Sequence, residues 1–363
     1  MQPDVSFVIA AFNAEGSIAR SVRSALDQRG VSVEVIVVDD CSRDRTIDAA
    51  LSIADTRIRV VALDRNRGPG GARNAGLAAA QGRWIAVLDA DDTVHPDRLA
   101  RLIARADRVR APIAVDNLAV IREPIVRAPS TAFGGPPPPL RRGGSSAAAG
   151  RDLDPPPSTG EGDHAKRGRG GVPMFPDLEK HCELTLADFI AANLMFEGMF
   201  SFGYMKPVIE RRFVEEHGLR YPEDMRIGED YIFLASALAK GGRCVVEPEP
   251  LYHYHIRAGS ISRVLERHHV EAMLAADTAL LREHDFDPAA MAAQARRTRS
   301  LEEAAAFLSL VGHLKARAPL KAMGAALGTP RALRHLGMPI ATRLRRLMQP
   351  FEARPLGRDM AGS

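Results

Sequence analysis

Three acidic residues follow an apolar segment in the first third of the chain. Asp89, Asp91 and Asp92 come directly after residues 84–88, a run of Trp, Ile, Ala, Val and Leu that is typical of a buried strand. Because side chains alternate along a strand, Asp89 and Asp91 point to the same side. Paired carboxylates offer the hard oxygen ligands that Mg²⁺ or Mn²⁺ shares with substrate phosphates. The alternative is that the acids cap the next helix, a role that suits Asp92.

Two further acidic pairs stand next to predicted helices. Asp39 and Asp40 end an apolar segment and precede a helical pattern, so one acid caps the helix. The other can accept hydrogen bonds from a nucleobase or a ribose. Glu229 and Asp230 begin another helical segment, where carboxylates stabilise the helix dipole even without a catalytic role.

The turn at residues 65–74 is rich in glycine and leads into a helical pattern. A helix N-terminus with a nearby arginine, here Arg73, favours a phosphate group, although Arg73 also fits a plain surface position. The turn is not followed by Gly-Lys-Ser/Thr, and its spacing differs from GxGxxG. These differences argue against an NAD-binding or ATP-hydrolysing protein.

The acidic residues need a scaffold that brings strand ends together, and the hydropathy pattern predicts one. Strands are predicted at Val5–Ala11, Val33–Asp39, Ile58–Leu63 and Trp84–Leu88, and helices near 16–28, 44–54, 71–81 and 96–108. This alternation indicates an α/β fold with a mostly parallel sheet covered on both faces. Ligands of such sheets bind at the carboxyl ends of the strands. Farther along, helices are predicted at 185–197, 207–217, 227–240 and after 263, and a strand at 243–254.

Charge is distributed unevenly along the chain. The net charge is +4, but residues 313–351 hold eight Lys or Arg and no Asp or Glu, which leaves residues 1–312 with 39 basic and 43 acidic residues. The basic stretch predicts short amphipathic helices that bind an anionic membrane surface. A helical appendage packed on the domain, or used for dimerisation, is the alternative. The few aromatic residues among the basic ones argue against nucleic acid.

The cysteines and the N-terminus predict a cytoplasmic protein. Cys41, Cys182 and Cys244 are widely spaced and form neither a disulfide framework nor a zinc motif. The chain begins without a signal-peptide pattern and has no apolar run of about 18 residues. Any membrane attachment is therefore expected to be peripheral, on the inner face of the cytoplasmic membrane.

Several motifs, in a fixed order, resemble a family 2 glycosyltransferase with the GT-A fold. They are Val-Ile-Ala-Ala-Phe-Asn at 8–13, Val-Asp-Asp-Cys-Ser-Arg-Asp at 38–44, the glycine-rich segment 68–76, the DxD element at 88–92 and the ED element Glu229-Asp230. The similarity covers residues 4–125 and 174–263. Segments 203–209 and 226–231 are similar to bacterial exopolysaccharide transferases of the succinoglycan type.

The resemblance implies a role for each matching residue. A nucleotide-sugar would contact Ala11, Phe12, Asn13, Asp39, Asp40, Gly70, Arg73, Asp89 and Ala90. A divalent ion, Mg²⁺ or Mn²⁺, would be held by Asp89 and Asp91 with Asp92. Asp230 would be the catalytic base, with Glu229 supporting it or positioning substrate. Four positions depart from the family pattern: Phe12 stands at a common tyrosine, Cys41 at a usual glycine, His255 at a usual arginine and Arg257 at a usual histidine.

The resemblance also divides the chain. Residues 1–127 would form the nucleotide-sugar-binding half of the GT-A domain, and residues 173–263 the acceptor-binding and catalytic half. Between them, residues 128–172 contain 18 Pro or Gly among 45 and predict a disordered insertion. Residues 264–363 would form a helical, basic extension.

The implied function is that of an inverting hexosyltransferase. It would move glucose or a related hexose from a UDP-sugar to an acceptor hydroxyl, with a lipid-linked oligosaccharide as acceptor, in exopolysaccharide or cell-surface glycan synthesis. A sugar-nucleotide nucleotidyltransferase is one alternative, and the Glu229-Asp230 element argues against it. A catalytically inactive scaffold of a polysaccharide assembly complex is the other, and the presence of every expected carboxylate argues against it.

Overall fold

The structure is a computed structural model that describes residues 2–122, 172–175, 178–196, 201–256 and 265–336. The predicted insertion at 128–172 lies outside these ranges except for Val172, and so does the basic stretch beyond residue 336. Within the described ranges, no helix is both long enough and apolar enough to cross a membrane.

One twisted sheet contains all the strands of the described residues. In chain order they are β1 Val5–Ala11, β2 Val33–Asp39, β3 Ile58–Ala62, β4 Trp84–Asp89, β5 Thr93–Val94, β6 Ile113–Arg122, β7 Val172–Pro173, β8 Val208–Glu210 and β9 Cys244–Ile256. Their order across the sheet is β3-β2-β1-β4-β8-β6-β9-β5, and β7 pairs with β6. The strands of the first half, β3-β2-β1-β4, are parallel to one another.

The helices flank this sheet and continue beyond it. They are α1 Ile18–Leu26, α2 Thr46–Leu51, α3 Gly68–Ala79, α4 Arg98–Val109, α5 Leu186–Ala191, α6 Arg211–Glu216, α7 Glu229–Ala239, α8 Arg267–Glu283, α9 Pro288–Lys315 and α10 Pro319–Gly328. Helix α1 buries Ile18, Val22 and Ala25 against the sheet, the spacing of an amphipathic helix. The mostly parallel first half, the flanking helices and the C-terminal helical extension confirm the predicted fold.

Parallel register brings the polar strand ends to one edge. Ala11 at the end of β1 pairs with Asp39 at the end of β2, and Ala10 pairs with Asp89 at the end of β4. The residues before these ends are apolar and buried, because both faces of the sheet are covered. Burial and pairing of the strands therefore place the Asp39 and Asp89 carboxylates side by side at the C-terminal edge of the sheet.

One predicted helix is wrong in part. Helix α6 covers only the end of the predicted segment 207–217, because residues 208–210 form strand β8. Val208 and Ile209 are fully buried and lie between β4 and β6, antiparallel to both. The apolar pair is thus held by sheet pairing on two sides, a tertiary effect that outweighs the local helical pattern.

Candidate active site

A cleft of about 940 Å³ opens at the carboxyl ends of the parallel strands. One wall contains residues from the ends of β1, β2 and β4 and from the start of α3, including Phe12, Asp40, Arg73 and Asp91. The opposite wall comes from the second half of the chain and from the C-terminal helices. Its residues include Asn193, Tyr204, Lys206, Asp230, Tyr254, Met273 and Arg297. The cleft thus joins the two predicted halves of the domain.

Arg73 links the acidic residues of the two walls. Its Nη1 donates to Glu229 Oε1 over 2.6 Å and lies 3.2 Å from Asp230 Oδ1, while its Nη2 donates to Asp89 Oδ1 over 2.8 Å. The guanidinium also lies over the Tyr221 ring, 5.4 Å from its centroid. The arginine side chain is only 5% exposed, so it is a buried centre of charge and not a surface residue.

Lys206 is a second buried cation in the same cluster. Its Nζ lies 2.9 Å from Asp89 Oδ2 and donates to Asp230 Oδ2 over 2.5 Å. The backbone carbonyl of Lys206 accepts a hydrogen bond from Arg98, which also forms a fully buried ion pair with Asp116. The lysine is therefore held at both its main chain and its ammonium group.

The cluster shifts the pKa values of its members in ways that follow from burial and pairing. Burial acts to raise the pKa of Asp89, but the charges of Lys206 and Arg73 outweigh it and hold that pKa below its usual range. Burial lowers the pKa of Lys206, yet Asp230 and Asp89 more than offset this, so its pKa is raised. Burial and the charge of Asp230 raise the pKa of Glu229 in spite of Arg73. The cluster contains three carboxyl groups and two cations, and Arg73 contacts all three of the acids.

A close contact between the halves holds Arg73 in place. The Asn74 side chain bonds both backbone groups of Tyr221, and a Cβ at Gly70 would lie 2.2 Å from the Pro222 carbonyl oxygen. Only glycine permits this approach. Gly70, predicted to contact the nucleotide-sugar, is thus seen packed against the loop that carries Tyr221. The cleft lining at the start of α3 includes Gly68, Pro69, Ala72 and Arg73.

Asp92 lies behind the DxD turn. Its Oδ2 accepts from the Tyr252 hydroxyl over 2.8 Å, and its Oδ1 accepts from the His255 backbone N–H over 2.8 Å. The same Tyr252 hydroxyl accepts from the Asp89 N–H over 3.1 Å. Asp92 is 1% exposed, and burial together with Asp89 raises its pKa well above the usual value. Asp92 is absent from the cleft lining, which includes Asp89 and Asp91, and its bonds to Tyr252 and His255 support the turn behind them.

Neither Asp39 nor Asp40 caps the helix that follows them, because α2 starts after Arg45 without a side-chain cap bond and the Thr46 N–H donates to Asp44. Asp40 accepts from the backbone N–H groups of Arg67 and Gly68, over 2.6 and 2.9 Å, and so binds the start of α3. Burial raises the pKa of Asp40 despite these two bonds. Asp39 accepts from Ser42 N–H through Oδ2, whereas its Oδ1 is buried without a hydrogen-bond partner among the described residues.

The end of β1 offers an aromatic platform and a strained turn. Phe12 is 46% exposed at the cleft wall, although phenylalanine is usually buried. Beside it, Asn13 and Cys41 have positive φ angles of 50° and 62°. Cys41 therefore adopts the left-handed conformation that the usual glycine would take without strain. His255, also a departure from the family pattern, contacts Thr93 Oγ1 at 2.9 Å through Nε2.

A divalent ion fits the donor set of this cleft only together with a ligand. Asp89 and Asp91 both line the cleft, and no group of three or more His, Cys, Asp or Glu side chains within the described ranges could hold a metal. Mg²⁺ and Mn²⁺ are commonly bound through one or two carboxylates and completed by substrate phosphates. Two carboxylates beside an open cleft meet that requirement.

Of the predicted site residues, the structure brings Ala11, Phe12, Asn13, Asp40, Arg73, Asp89, Ala90, Asp91, Glu229 and Asp230 to one cleft. Sequence reasoning missed the roles of Lys206, Tyr221, Tyr252 and Arg297. A lone lysine within the apolar run 205–209 was a usable signal, since an unpaired lysine is rarely buried. The sequence offers no comparable signal for Arg297, which is one of several arginines in α9.

Comparison with known proteins gives a consistent result. Residues 6–143 match the family described as Glycosyl transferase family 2. Over 351 residues, 96% of this chain and 88% of the relative, the sequence is 51% identical to the succinoglycan biosynthesis protein ExoO of Rhizobium meliloti (strain 1021). Over 88 residues, 24% of this chain and 35% of the relative, it is 44% identical to the UDP-Glc:alpha-D-GlcNAc-diphosphoundecaprenol beta-1,3-glucosyltransferase WfaP of Escherichia coli.

Solved structures confirm the predicted GT-A fold. S. aureus TarS 1-349 in complex with UDP-GlcNAc aligns with a TM-score of 0.56 at 17% identity, covering 90% of this chain and 92% of that one. The mannosyltransferase PcManGT from Pyrobaculum calidifontis, in complex with GDP-Man and Mn²⁺, aligns with a TM-score of 0.55 at 15% identity, covering 96% and 82%. At these identities the likeness concerns the fold.

Proposed function

Because this chain belongs to glycosyl transferase family 2 and is therefore a glycosyltransferase, we propose that it transfers a hexose from a UDP-sugar to an acceptor hydroxyl with inversion. The observation that carries the proposal is the joining of Asp89 and Asp230 by Arg73 and Lys206 at the cleft. One carboxylate stands on the wall expected to bind the donor, and the other stands on the opposite wall.

The donor half of the cleft suits a uridine diphosphate sugar. Phe12 offers a face on which a base can stack, and Asp39 and Asp40 would supply hydrogen-bond acceptors for the base and ribose. The relative WfaP carries UDP-Glc in its name, and TarS has been solved with UDP-GlcNAc. Among hexoses, glucose or a close relative is our choice of donor.

Asp89 and Asp91 would hold Mg²⁺ or Mn²⁺ together with the diphosphate. When bound, such an ion neutralises charge that develops on the leaving diphosphate. Arg73 and Lys206 add preorganised positive charge next to the same carboxylates, where a low dielectric strengthens it. Glu229 holds the guanidinium of Arg73 and so keeps this charge in place.

Asp230 acts as the base in this account. Its carboxylate takes the proton of the acceptor hydroxyl as that oxygen forms a bond to the anomeric carbon. The bond from the anomeric carbon to the diphosphate oxygen breaks at the same time, and UDP leaves with its electron pair. Attack from the face opposite the leaving group inverts the anomeric configuration. Tyr204 and Tyr254, with ring centroids 5.8 Å apart on the cleft wall, offer surfaces for acceptor sugar rings.

The acceptor that we favour is a lipid-linked oligosaccharide. WfaP is named for a diphosphoundecaprenol-linked acceptor, and ExoO for succinoglycan biosynthesis. The test is UDP release from a panel of UDP-sugars with Mg²⁺ or Mn²⁺, with and without a lipid-linked saccharide extract. We expect one UDP-hexose to be consumed. When the hexose of that donor carries a radioactive label, the label should appear in the lipid fraction. If no UDP-sugar is consumed while another nucleotide-sugar is, the donor assignment fails.

Membrane attachment is proposed to depend on helix α10. Leu320, Met323 and Leu327 are spaced along one face and are 78%, 56% and 73% exposed, whereas Ala322 is buried on another face. Lys321 stands beside them, within a stretch of eight basic and no acidic residues from 313 to 351. An exposed apolar stripe among cations matches an anionic lipid surface.

Co-sedimentation with phospholipid vesicles tests this attachment. We expect the protein to bind phosphatidylglycerol vesicles and not phosphatidylcholine vesicles, and to lose binding when Leu320, Met323 and Leu327 are all changed to serine. Leu51→Ser, which also changes an exposed leucine, is the control. Failure of the wild-type protein to bind vesicles would contradict the membrane role. So would a wild-type protein that is a dimer and becomes a monomer in the triple variant.

A further inference from the structure

The C-terminal extension contributes a buried arginine, Arg297, to the lining of the cleft. Arg297 lies on α9, beyond the segment that matches the family, and is 4% exposed. Its Nε donates to Asp277 Oδ2 on α8 over 2.9 Å, and Gln294 donates to the same oxygen over 2.9 Å. Nevertheless Arg297 lines the catalytic cleft. The two long helices thus form part of its wall.

The first element that Arg297 contacts is α7, the helix that begins with Glu229 and Asp230. Its guanidinium carbon lies 3.6 Å from the centroid of the Tyr231 ring, at the distance of a close cation–π contact. Phe189 also stacks on that ring, and the Tyr231 hydroxyl donates to Gln294 over 3.4 Å. Tyr231 follows Asp230 directly in the first turn of α7. The orientation of that turn is therefore fixed from the C-terminal helices.

The second element is the cleft wall opposite the donor half. Arg297 Nη1 donates to the Asn193 carbonyl over 2.6 Å, and Asn193 Oδ1 in turn accepts from the Gly203 N–H over 2.7 Å. Two residues on, the Met195 N–H donates to Ser300 Oγ, also on α9, over 3.2 Å. Asn193, Met195 and Gly203 all line the cleft. The Arg297 side chain thus connects two parts of this wall, the Asn193 segment and the turn that carries Asp230.

A buried ion pair of this kind contributes little net stability compared with apolar packing, because desolvation offsets its attraction. Its value lies in fixing geometry. We propose that Arg297 is a positioning residue that sets the distance between Asp230 and the Asn193 segment of the same wall, and that α8 and α9 thereby form part of the acceptor site. This inference rests on the transferase function proposed above.

The position predicts a selective defect. The hydrogen bonds and ring contact of Arg297 go to Asp277, Asn193 and Tyr231, away from the nucleotide side, so its loss is expected to act on the acceptor and not on UDP. We expect Arg297→Lys, which keeps the charge but not the two-sided hydrogen bonding, to raise the acceptor KM about tenfold or more. The dissociation constant for UDP should change by less than about twofold.

The experiment measures acceptor KM and kcat at saturating donor, UDP binding by calorimetry and the thermal midpoint, for the wild-type full chain and three variants of it. Arg296→Met changes the exposed neighbouring arginine of the same helix and should match the wild type. Tyr231→Leu removes the ring under the guanidinium while leaving the bonds to Asp277 and Asn193, and should also raise the acceptor KM. It keeps the test decisive if Arg297→Lys does not fold.

The outcomes separate the two proposals. A wild type that transfers to no acceptor refutes the proposed function, and this inference with it. An active wild type with an unchanged acceptor KM in the folded variants overturns the positioning role alone. Equal losses of UDP and acceptor affinity also overturn it, since they indicate a general structural role. A raised acceptor KM with UDP binding intact supports it.

Discussion

Asp89 and Asp230 share one ammonium group: Lys206 Nζ lies 2.9 Å from Asp89 Oδ2 and 2.5 Å from Asp230 Oδ2. The two carboxylates come from opposite walls of the cleft, at the end of β4 and the start of α7. With Arg73 bonded to both, the donor and acceptor halves are joined by charge at the point where transfer is proposed to occur.

Removal of the Lys206 charge should lower both the stability of the protein and its transfer activity. Lys206→Met leaves the partly buried Asp89 and Asp230 with Arg73 as their only cation in the cluster, and breaking a buried ion pair from one side costs about 3–5 kcal/mol. We expect the free energy of unfolding in urea to fall by that order, and transfer activity to fall with it. Lys240→Met, at the exposed C-terminal end of α7, is the matched control and should change stability by less than about 0.5 kcal/mol. A fully active, stable Lys206→Met protein would show that the cluster is incidental.

Asp92 should make stability depend on pH. Its pKa in the folded protein is raised, so above about pH 4 the unfolded state loses its proton before the native state does. Native Asp92 then binds more protons than unfolded Asp92, and its contribution to stability falls as the pH rises through the folded pKa. Asp92→Asn cannot ionise and removes this fall.

The measurement for Asp92 is the free energy of unfolding from pH 4 to pH 8. The difference between Asp92→Asn and the wild type should shift in favour of the variant as the pH rises. Asp285→Asn, at an exposed position, is the control and should run parallel to the wild type. Parallel curves for Asp92→Asn as well would mean that Asp92 titrates as an ordinary surface acid.

Gly70 should not tolerate a methyl group. Its Cβ position lies 2.2 Å from the Pro222 carbonyl oxygen, so Gly70→Ala must push apart α3 and the loop that carries Tyr221. Overpacking of this kind costs about 1–3 kcal/mol, and the thermal midpoint should fall accordingly. Gly312→Ala, inside α9 with no neighbouring atom within 4 Å, should be neutral or slightly stabilising. Equal midpoints for the two variants would show that the α3 contact is loose.

Phe12 should contribute to donor binding and not to the stability of the protein. Loss of one aromatic stacking partner costs roughly 1–3 kcal/mol, so Phe12→Ala should raise the donor KM about tenfold with little change in the thermal midpoint. The midpoint should hold because Phe12 is half exposed. Leu51→Ala, at an equally exposed leucine outside the cleft lining, is the control. An unchanged donor KM would contradict the proposal that the nucleobase stacks on Phe12.

The sequence predicts the first half of the fold almost residue by residue. Strands Val5–Ala11 and Val33–Asp39 form as predicted, because continuous β-branched runs suit a sheet buried on both faces. The carboxylates Asp89 and Asp230 meet in one cleft as the motifs imply. Local patterns suffice here because strand ends in a parallel sheet share one edge.

The remaining features depend on contacts distant in sequence. The strand at 208–210 forms because β4 and β6 flank it, and Asp92 turns away because Tyr252 and His255 bond it from β9. Arg297 becomes part of the cleft only through the packing of α8 and α9. No local pattern encodes these partners, so a single sequence does not reveal them.

The most direct test of the account is the rate of sugar transfer by Asp230→Asn, with UDP affinity measured on the same preparation. Loss of a general base lowers the rate by about 10²–10⁴-fold, and we expect a loss in this range with UDP affinity within about threefold of the wild type. Asp224→Asn, which changes an exposed acid shortly before α7, should retain full activity. Transfer by Asp230→Asn at a rate close to that of the wild type would contradict the central claim, because another group would then have to accept the proton.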